Sequence, residues 1–406
     1  MSNKGANLHL EHLEDIIIND GVAGAKNAFG FLDELTKAFS SKGSKSFQIT
    51  TKWDGAPAIF CGYLPGSKNW FVAKKGLFNA TPIMYHNKAE IEQDYPPGHD
   101  LHEVFALILK HIKPLHESGK IQGIVQGDFL FSKKSRTLKK INGDDCVVFK
   151  PNVSGITYCI PEGDTLYDHA KNAELCVVFH TLYNTSGAKS LEDLGAEYAY
   201  NATHLSTQKC LILSSETSEL GSNVMLTPSE VAKLKRYKSA GQTLYKQCGP
   251  FLDVMSDSMK DAFGIGPLMK IYINTYVRAA TRIGSATRFY QGYLKFVEEK
   301  YRKKIDGYTK DATKSVWKKR MYASLDVAES NKAKLLKFIA LYNTIQNAKT
   351  IFIPKLEKGE RFKQYYEDGK GGYDVGAPEG YVAVREGTNA VKLIDRLVFS
   401  AKNFQR

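Results

Sequence analysis

The chain has 406 residues, of which 43% are hydrophobic and 24% are charged, and its formal net charge is +13 at pH 7. This composition is typical of a soluble globular protein with two or three folding units. It contains no run of about 18 apolar residues, which excludes a membrane-spanning helix. The N-terminus lacks the apolar stretch of a signal peptide, so we expect a cytoplasmic protein. The positive charge favours a polyanionic partner, either nucleic acid or an acidic protein.

The cysteines include no Cys-x-x-Cys pair, and most of them have apolar neighbours in the sequence. We therefore expect buried thiols rather than a zinc knuckle or a disulfide framework. They are Cys61, Cys146, Cys159, Cys176, Cys210 and Cys248.

The first half of the chain has a mixed pattern. Apolar residues at helical spacing over residues 7–40, interrupted at Asp20-Gly21, predict two helices. Residues 100–118 predict another helix. Short alternating or apolar segments predict strands at 46–51, 58–62, 69–73, 123–131, 146–149 and 175–179.

Helical patterns follow from about residue 227 to residue 350. Thr227-Pro228-Ser229-Glu230 is a capping box with proline at the first helical position. Residues 251–350 contain 19 Lys and Arg against 9 Asp and Glu, interleaved with tyrosines and a tryptophan. This pattern suits a nucleic-acid surface, in which cations meet phosphates and aromatic rings stack on bases. Alternatively, the tyrosines pack inside a helix bundle and the lysines keep its outside soluble.

A loop rich in glycine and aspartate follows the helical region. After it, the patterns of residues 379–384 and 390–394 predict two further strands. We therefore predict a discontinuous domain made of residues 1–215 and 365–406, with a basic helical insertion at 216–364. No internal repeat is present.

One short motif, Lys52-Trp53-Asp54-Gly55, carries candidate chemistry. A lysine is a poor nucleophile near neutral pH unless burial or neighbouring cations lower its pKa. Lys52 follows an apolar strand, and Asp54-Gly55 can form a tight turn that projects the lysine into a cleft. The same four residues also occur in ordinary surface hairpins.

The motif resembles motif I of the covalent nucleotidyltransferases, the superfamily of ATP-dependent DNA ligases, RNA ligases and mRNA capping enzymes. Later segments resemble further motifs of that superfamily in the same chain order. Those segments are Gln126-Gly127-Asp128-Phe129 (motif III), Val177-Val178-Phe179-His180 (motif IIIa), Glu379-Gly380-Tyr381-Val382 (motif IV) and Val391-Lys392-Leu393 (motif V).

The resemblance implies an α+β fold of antiparallel sheets, the ATP-grasp-like nucleotidyltransferase fold, and a site for ATP with Mg²⁺ or Mn²⁺. In that site Lys52 attacks the α-phosphorus, and Asp54 and Gly55 shape the nucleotide loop. The remaining roles are as follows: Lys392 holds the α-phosphate, Glu379 binds the metal, Asp128 contacts the ribose or the metal, Phe179 stacks on adenine, and Lys75 contacts phosphate.

These residues also have structural readings. Asp128 could simply end a strand in a turn, Phe179 could belong to the core, and Lys75 and Lys392 could be solvated charges. His9 and His12 are spaced like metal ligands, although the sequence supplies no third ligand near them.

The sequence departs from the superfamily pattern at three points. Ala56-Pro57-Ala58 replaces the usual arginine after motif I, Asp128 replaces a glutamate, and Asp395-Arg396 stands where a second lysine is expected. Only 14 residues follow Lys392, too few for the C-terminal OB-fold of DNA ligases and capping enzymes. The pattern is most similar to RNA-ligase-like proteins of large tailed phages, which would act in the host cytoplasm.

We therefore predict an ATP-dependent polynucleotide ligase, with RNA favoured over DNA, that forms lysyl-AMP on Lys52. One alternative is a nucleic-acid-binding protein on a catalytically degenerate scaffold. Another is a nucleotidyltransferase that modifies a protein or a small molecule.

Overall fold

The computed structural model describes residues 10–40, 47–152, 156–215, 225–358, 364–367, 372–376 and 379–400. The chain forms two compact units, each assembled from three segments. The first unit comprises Met1–Leu10, Lys45–Leu220 and Gly359–Ala390, and the second comprises Glu11–Ser44, Gly221–Lys358 and Val391–Arg406.

The described strands lie mainly in the first unit and the long helices in the second. The strands are β1 Phe47–Thr51, β2 Ala58–Tyr63, β3 Trp70–Ala73, β4 Ile124–Ser132, β5 Arg136–Ile141, β6 Asp144–Phe149, β7 Ile156–Pro161, β8 Leu175–Asn184, β9 Gly195–Tyr198, β10 Cys210–Ser214, β11 Gln364–Glu367, β12 Tyr373–Gly376, β13 Tyr381–Arg385 and β14 Asn389–Leu393. The helices are α1 Ile16–Asn19, α2 Gly21–Ala38, α3 Lys88–Asp94, α4 Asp100–His111, α5 Lys113–Glu117, α6 Tyr167–Asn172, α7 Pro228–Asp257, α8 Ile265–Arg278, α9 Ala286–Asp306, α10 Asp311–Ser330 and α11 Lys332–Lys358.

The sheets of the first unit are largely antiparallel. One has the order β10-β8-β4-β2-β3, with β9 also paired to β8, and a second has the order β12-β11-β7-β6-β5. In a third sheet, β13 lies between β1 and β14. Only the first two residues of β14, Asn389 and Ala390, belong to this unit. The prediction of a mixed α+β chain with antiparallel sheets is therefore confirmed, except that β8 and β10 run parallel.

The central strands of the first unit are buried on both faces. Val125 and Phe129 of β4 pack in one apolar cluster with Phe105 and Ile108 of α4. Ile124, on the other face of β4, packs in a second cluster. Strands covered on both sides need apolar residues at successive positions, which explains why these segments read as apolar runs in the sequence.

The second unit is a helical assembly. Helix α7 begins with the predicted capping box, because Glu230 N donates to Thr227 Oγ1 at 3.2 Å and Thr227 N donates to Glu230 Oε2 at 2.7 Å. The predicted helical region is thus confirmed over α7–α11. Among the described residues, no helix is long and apolar enough to cross a membrane.

The compact units differ from the predicted domain boundaries at both ends of the chain. Residues Glu11–Ser44 and Val391–Arg406 group with the helical segment rather than with the sheets. Helix α2 explains the first difference, because its apolar face packs against α7: a Cβ atom at Gly241 would lie 2.5 Å from the ring of Phe29. The interruption at Asp20-Gly21 is present, but α1 is only four residues long.

All six cysteines are buried as expected, but only four of them are free thiols. Cys61, Cys176, Cys210 and Cys248 are free and buried. Cys146 of β6 and Cys159 of β7 form a disulfide, because these adjacent antiparallel strands bring their Cα atoms to 5.7 Å.

Candidate nucleotide site

Lys52 lies just beyond the end of β1, and one further backbone hydrogen bond extends the β1–β13 pairing to this residue. Thr51 pairs with Tyr381, and Lys52 N donates to Gly380 O at 2.8 Å. This register brings Lys52 Nζ into an ion pair with the Glu379 carboxylate, although 327 positions separate the two residues. Their side chains are 29% and 12% exposed, so the pair is shielded but remains accessible.

The residues after Lys52 are held by the second sheet. Asp54 N donates to the hydroxyl oxygen of Tyr158 at 2.9 Å, and Asn152 Nδ2 donates to Asp54 Oδ1 at 3.0 Å. The rings of Trp53 and Tyr158 are 4.9 Å apart. Asp54 is therefore a buried anchor of the loop. Sequence reasoning missed Tyr158 and Asn152, which carry no local signal of this contact.

Gly55 allows the loop to lie directly against β4. A Cβ atom at Gly55 would stand 2.4 Å from Asp128 Cβ and 3.0 Å from Phe129 O. Two backbone bonds fix the approach, from Ala56 N to Phe129 O at 3.2 Å and from Phe129 N to Pro57 O at 3.1 Å. The segment Ala56-Pro57 thus packs along β4.

Asp128 forms the acidic side of the site. Burial raises the pKa of Asp128 to about 7, positive Lys52 opposes that rise, and the Glu379 and Asp54 carboxylates add to it. Its Oδ2 lies 3.7 Å from His180 Nε2. Burial, followed by the charge of Lys52, lowers the pKa of His180 to about 4, so this imidazole is neutral at pH 7.

Phe179 does not face the site. It is fully buried in the same cluster as Val125 and Phe129 of β4, so its ring is not offered to a base. A β-bulge explains why: Gly127 pairs with Phe179, whereas Gln126 pairs with Thr181, which leaves His180 as the extra residue. Bulges commonly redirect a side chain beside a functional site. His180 is the residue that the bulge brings next to Asp128.

The two other predicted lysines occupy different places. Lys75 begins a short 3₁₀ turn, Lys75–Phe78, is exposed, and lies close enough to Asp128 to lower its pKa. Lys392 belongs to the second unit, where its N donates to Glu11 O at 2.8 Å and its O accepts from Leu13 N at 3.2 Å. The structure therefore assembles Lys52, Asp54, Gly55, Asp128 and Glu379 with Lys75 nearby, and the place of Lys392 in this site stays a prediction.

No cluster of three or more histidines, cysteines or carboxylates suited to a metal occurs in the part of the chain that the structure describes. His9 lies outside the described residues. His12 is half-buried, and desolvation followed by the charges of Arg396, Lys349, Lys392 and Lys270 lowers its pKa. A hard cation is still compatible with Asp128 and Glu379, because Mg²⁺ is commonly held by one or two carboxylates together with substrate phosphates and water.

Comparison with known proteins gives one match. The model of a family of unknown function (DUF6267) matches residues 7–406. No curated protein and no solved structure matches the chain.

Proposed function

The chain belongs to the DUF6267 family of unknown function, and we propose from its geometry that Lys52 is the nucleophile of an ATP-dependent nucleotidyltransferase. The observation that carries the proposal is the Lys52–Glu379 ion pair beside the half-buried Asp128. The loop packed against neighbouring strands fixes where this lysine lies, which is what a positioned nucleophile requires. Because carboxylates favour the charged form of an amine, the proposed attack requires a bound cation to take over the carboxylates.

In the proposed reaction the neutral Lys52 amine attacks the α-phosphorus of ATP. A P–N bond forms, the bond from the α-phosphorus to the bridging oxygen breaks, and pyrophosphate leaves with the electron pair. The ammonium of Lys52 must first lose a proton. Glu379 contacts that ammonium and can pass its proton to solvent. The second proton, which the nitrogen loses once the P–N bond has formed, leaves with pyrophosphate or to solvent. Asp128 must be ionised to bind a cation, and with a pKa of about 7 roughly half of it is ionised at neutral pH.

Asp128 and Glu379 would hold a divalent cation such as Mg²⁺ or Mn²⁺, which neutralises phosphate charge when bound. Lys75 would supply a further positive charge near the phosphates. The role of Lys392 at the α-phosphate stays a prediction. We do not retain adenine stacking for Phe179, because its ring lies in the core.

We propose a nucleic acid, with RNA preferred, as the acceptor. AMP would pass from Lys52 to a 5′-phosphate, and a 3′-hydroxyl would then attack that phosphate and release AMP. Two alternatives stay distinguishable. A degenerate scaffold would bind nucleic acid without any adduct, whereas an enzyme that modifies a protein or a small molecule would form the adduct and join no ends.

The test is incubation with α-labelled ATP and Mg²⁺ or Mn²⁺, followed by intact-mass measurement. We expect one adenylyl group on the wild type, none on Lys52→Ala, and full labelling of Lys68→Ala, which removes an exposed lysine of the same unit. GTP and NAD in place of ATP test the cofactor. An unlabelled wild type under both metals and all three nucleotides would refute the proposal.

A further inference from the structure

The positive charge of the chain is concentrated at the turn between α9 and α10. Residues 300–320 contain nine lysines and arginines and two aspartates, in a chain whose total net charge is +13. More than half of the excess charge therefore lies within 21 residues. This concentration exceeds what solubility requires of a surface.

The two arginines of this segment have acidic partners, whereas its lysines do not. Arg302 pairs with Glu298 and Arg320 with Asp261. None of the seven lysines has an ion-pair partner within the described residues, and all are exposed except Lys314, which is half-buried. We name this set the α9–α10 lysine surface; it consists of Lys300, Lys303, Lys304, Lys310, Lys314, Lys318 and Lys319.

The helices give these lysines regular spacing. Lys300 and Lys304 are four residues apart near the end of α9, and Lys310, Lys314 and Lys318 repeat at the same interval from the start of α10. Residues four apart are neighbours on one helix face, so each set forms a stripe of positive charge. Such stripes suit a linear polyanion better than an isolated anion.

Trp317 of α10 contacts both charged and aromatic side chains of this segment. The guanidinium of Arg320 lies 4.5 Å, and Lys304 Nζ 5.6 Å, from the ring centre of Trp317. The ring of Tyr308 lies nearly parallel to that of Trp317, at 6.1 Å. Because these neighbours already cover Trp317, it is not free to stack on a base, and the lysines supply the contacts.

We propose that the α9–α10 lysine surface binds the phosphate backbone of a nucleic acid without reading its bases. It would dock the nucleic acid of the proposed function, and the inference rests on that function only for this choice of substrate. An anionic membrane fits less well, because stable attachment of a helix to a bilayer needs an exposed apolar face. Here Tyr301, Ile305 and Met321 are buried within the bundle. The exposed Val316 and Tyr322 of α10 are six residues apart and therefore lie on different faces of the helix, so they form no continuous apolar face.

The test compares two triple variants of the full chain. Lys303→Gln, Lys314→Gln and Lys318→Gln together remove three charges from the surface. Lys233→Gln, Lys235→Gln and Lys246→Gln remove three exposed lysines from α7 of the same unit, so both variants keep the same net charge. Fluorescence anisotropy then measures binding of a labelled single-stranded RNA of mixed sequence across a series of salt concentrations, without ATP.

We expect the surface variant to lose about 2 in the slope of log affinity against log salt, and roughly two orders of magnitude in affinity at low salt. The α7 variant should bind nearly as the wild type does. Equal losses in both variants, an unaffected surface variant, or a wild type that binds anionic vesicles but no RNA would overturn the inference. Far-ultraviolet circular dichroism checks that both variants are folded.

Because ATP is absent, this result is separate from labelling of Lys52. A wild type that takes up AMP but binds RNA independently of these lysines would refute the surface alone. A wild type that binds RNA through them without forming an adduct would refute only the proposed chemistry.

Discussion

Gly55 illustrates at the scale of one residue how tightly the candidate nucleophile loop packs. A methyl group at this position would approach Asp128 Cβ to 2.4 Å, well inside contact distance. We predict that Gly55→Ala displaces the loop or Asp128, lowers stability by about 1–3 kcal/mol and strongly reduces labelling of Lys52. Urea unfolding and labelling with α-labelled ATP measure the two effects.

Gly163→Ala is the matched control for Gly55→Ala. Nothing lies within 4 Å of a Cβ atom at Gly163, which belongs to the same unit. This variant should change neither property. Wild-type labelling of Gly55→Ala would show that the close approach to Asp128 does not matter for the site.

Asp128 makes a second prediction possible, on pH. Its pKa rises from 3.8 to about 7 on folding, so between these values the folded state holds a proton that the unfolded state has released. Stability must therefore fall as pH rises through this window. Asp128→Asn removes the dependence and should gain about 2–4 kcal/mol relative to wild type between pH 4.5 and pH 8. Urea unfolding at the two pH values measures the difference.

His180 gives the opposite sign in nearly the same window. Its pKa falls from 6.5 to about 4 on folding, so the unfolded state binds a proton first as the pH drops, and stability is lost. His180→Gln should therefore gain stability relative to wild type at pH 4.5 and not at pH 8. Profiles of the same sign for the two variants would contradict this description of the pair.

The same neighbourhood shows what single positions reveal from sequence. Lys52, Asp128 and Glu379 were selected through the resemblance to the nucleotidyltransferase motifs. The structure places them near one another, and their roles stay predictions. The burial of Phe179 and the position of His180 beside Asp128 could not be predicted, because the bulge in β8 changes the side-chain alternation. A bulge depends on pairing with a strand that is distant in sequence, so the local sequence pattern does not predict it.

Strand β7 acts as an element that positions the loop. Tyr158 accepts a hydrogen bond from Asp54 N, and its ring contacts those of Trp53 and Phe149. Tyr158→Phe keeps the ring contacts and leaves a buried N–H without its acceptor. We predict a loss of about 1–2 kcal/mol in stability and reduced labelling of Lys52 in the folded protein. Urea unfolding and adduct yield per folded molecule provide the measurements.

Tyr85→Phe is the control for the role of β7. The Tyr85 hydroxyl donates to Asp94 Oδ2 at 2.6 Å in the same unit, and the Tyr85 ring contacts those of Tyr95 and Phe105. This variant should lose stability without losing adduct yield. If both variants reduce labelling to the same degree, Tyr158 has only a general structural role.

Elements were predictable where their signals are local. The capping box fixed the start of α7, and the apolar spacing located α2. The unit to which α2 belongs was not predictable. The amphipathic pattern of a helix predicts that one face is buried, but it does not identify the element that covers that face. The contributions of Tyr158 and Asn152 were hidden for the same reason.

At the scale of the whole molecule, each unit depends on chain segments that are far apart in sequence. In the second unit Lys349 Nζ of α11 lies 2.7 Å from both carboxylate oxygens of Glu14. Arg396 Nη1, near the end of the chain, donates to Asp15 Oδ1 at 3.1 Å, and the Tyr342 hydroxyl contacts the same oxygen. These buried pairs join all three segments of the unit.

A buried pair of this kind predicts a strongly non-additive mutant cycle. The Glu14 and Lys349 side chains are 0% and 1% exposed, so removing either partner leaves an uncompensated buried charge. Glu14→Leu and Lys349→Met should each cost about 3–5 kcal/mol, and the double variant should cost far less than their sum.

The half-exposed pair Asp33–Lys238 joins the same two segments at 2.7 Å and is the control. Its cycle should be nearly additive because solvent screens it. Urea unfolding of the single and double variants of both pairs measures these losses of stability. Additive losses at Glu14 and Lys349 would mean that this pair does not hold the two segments together.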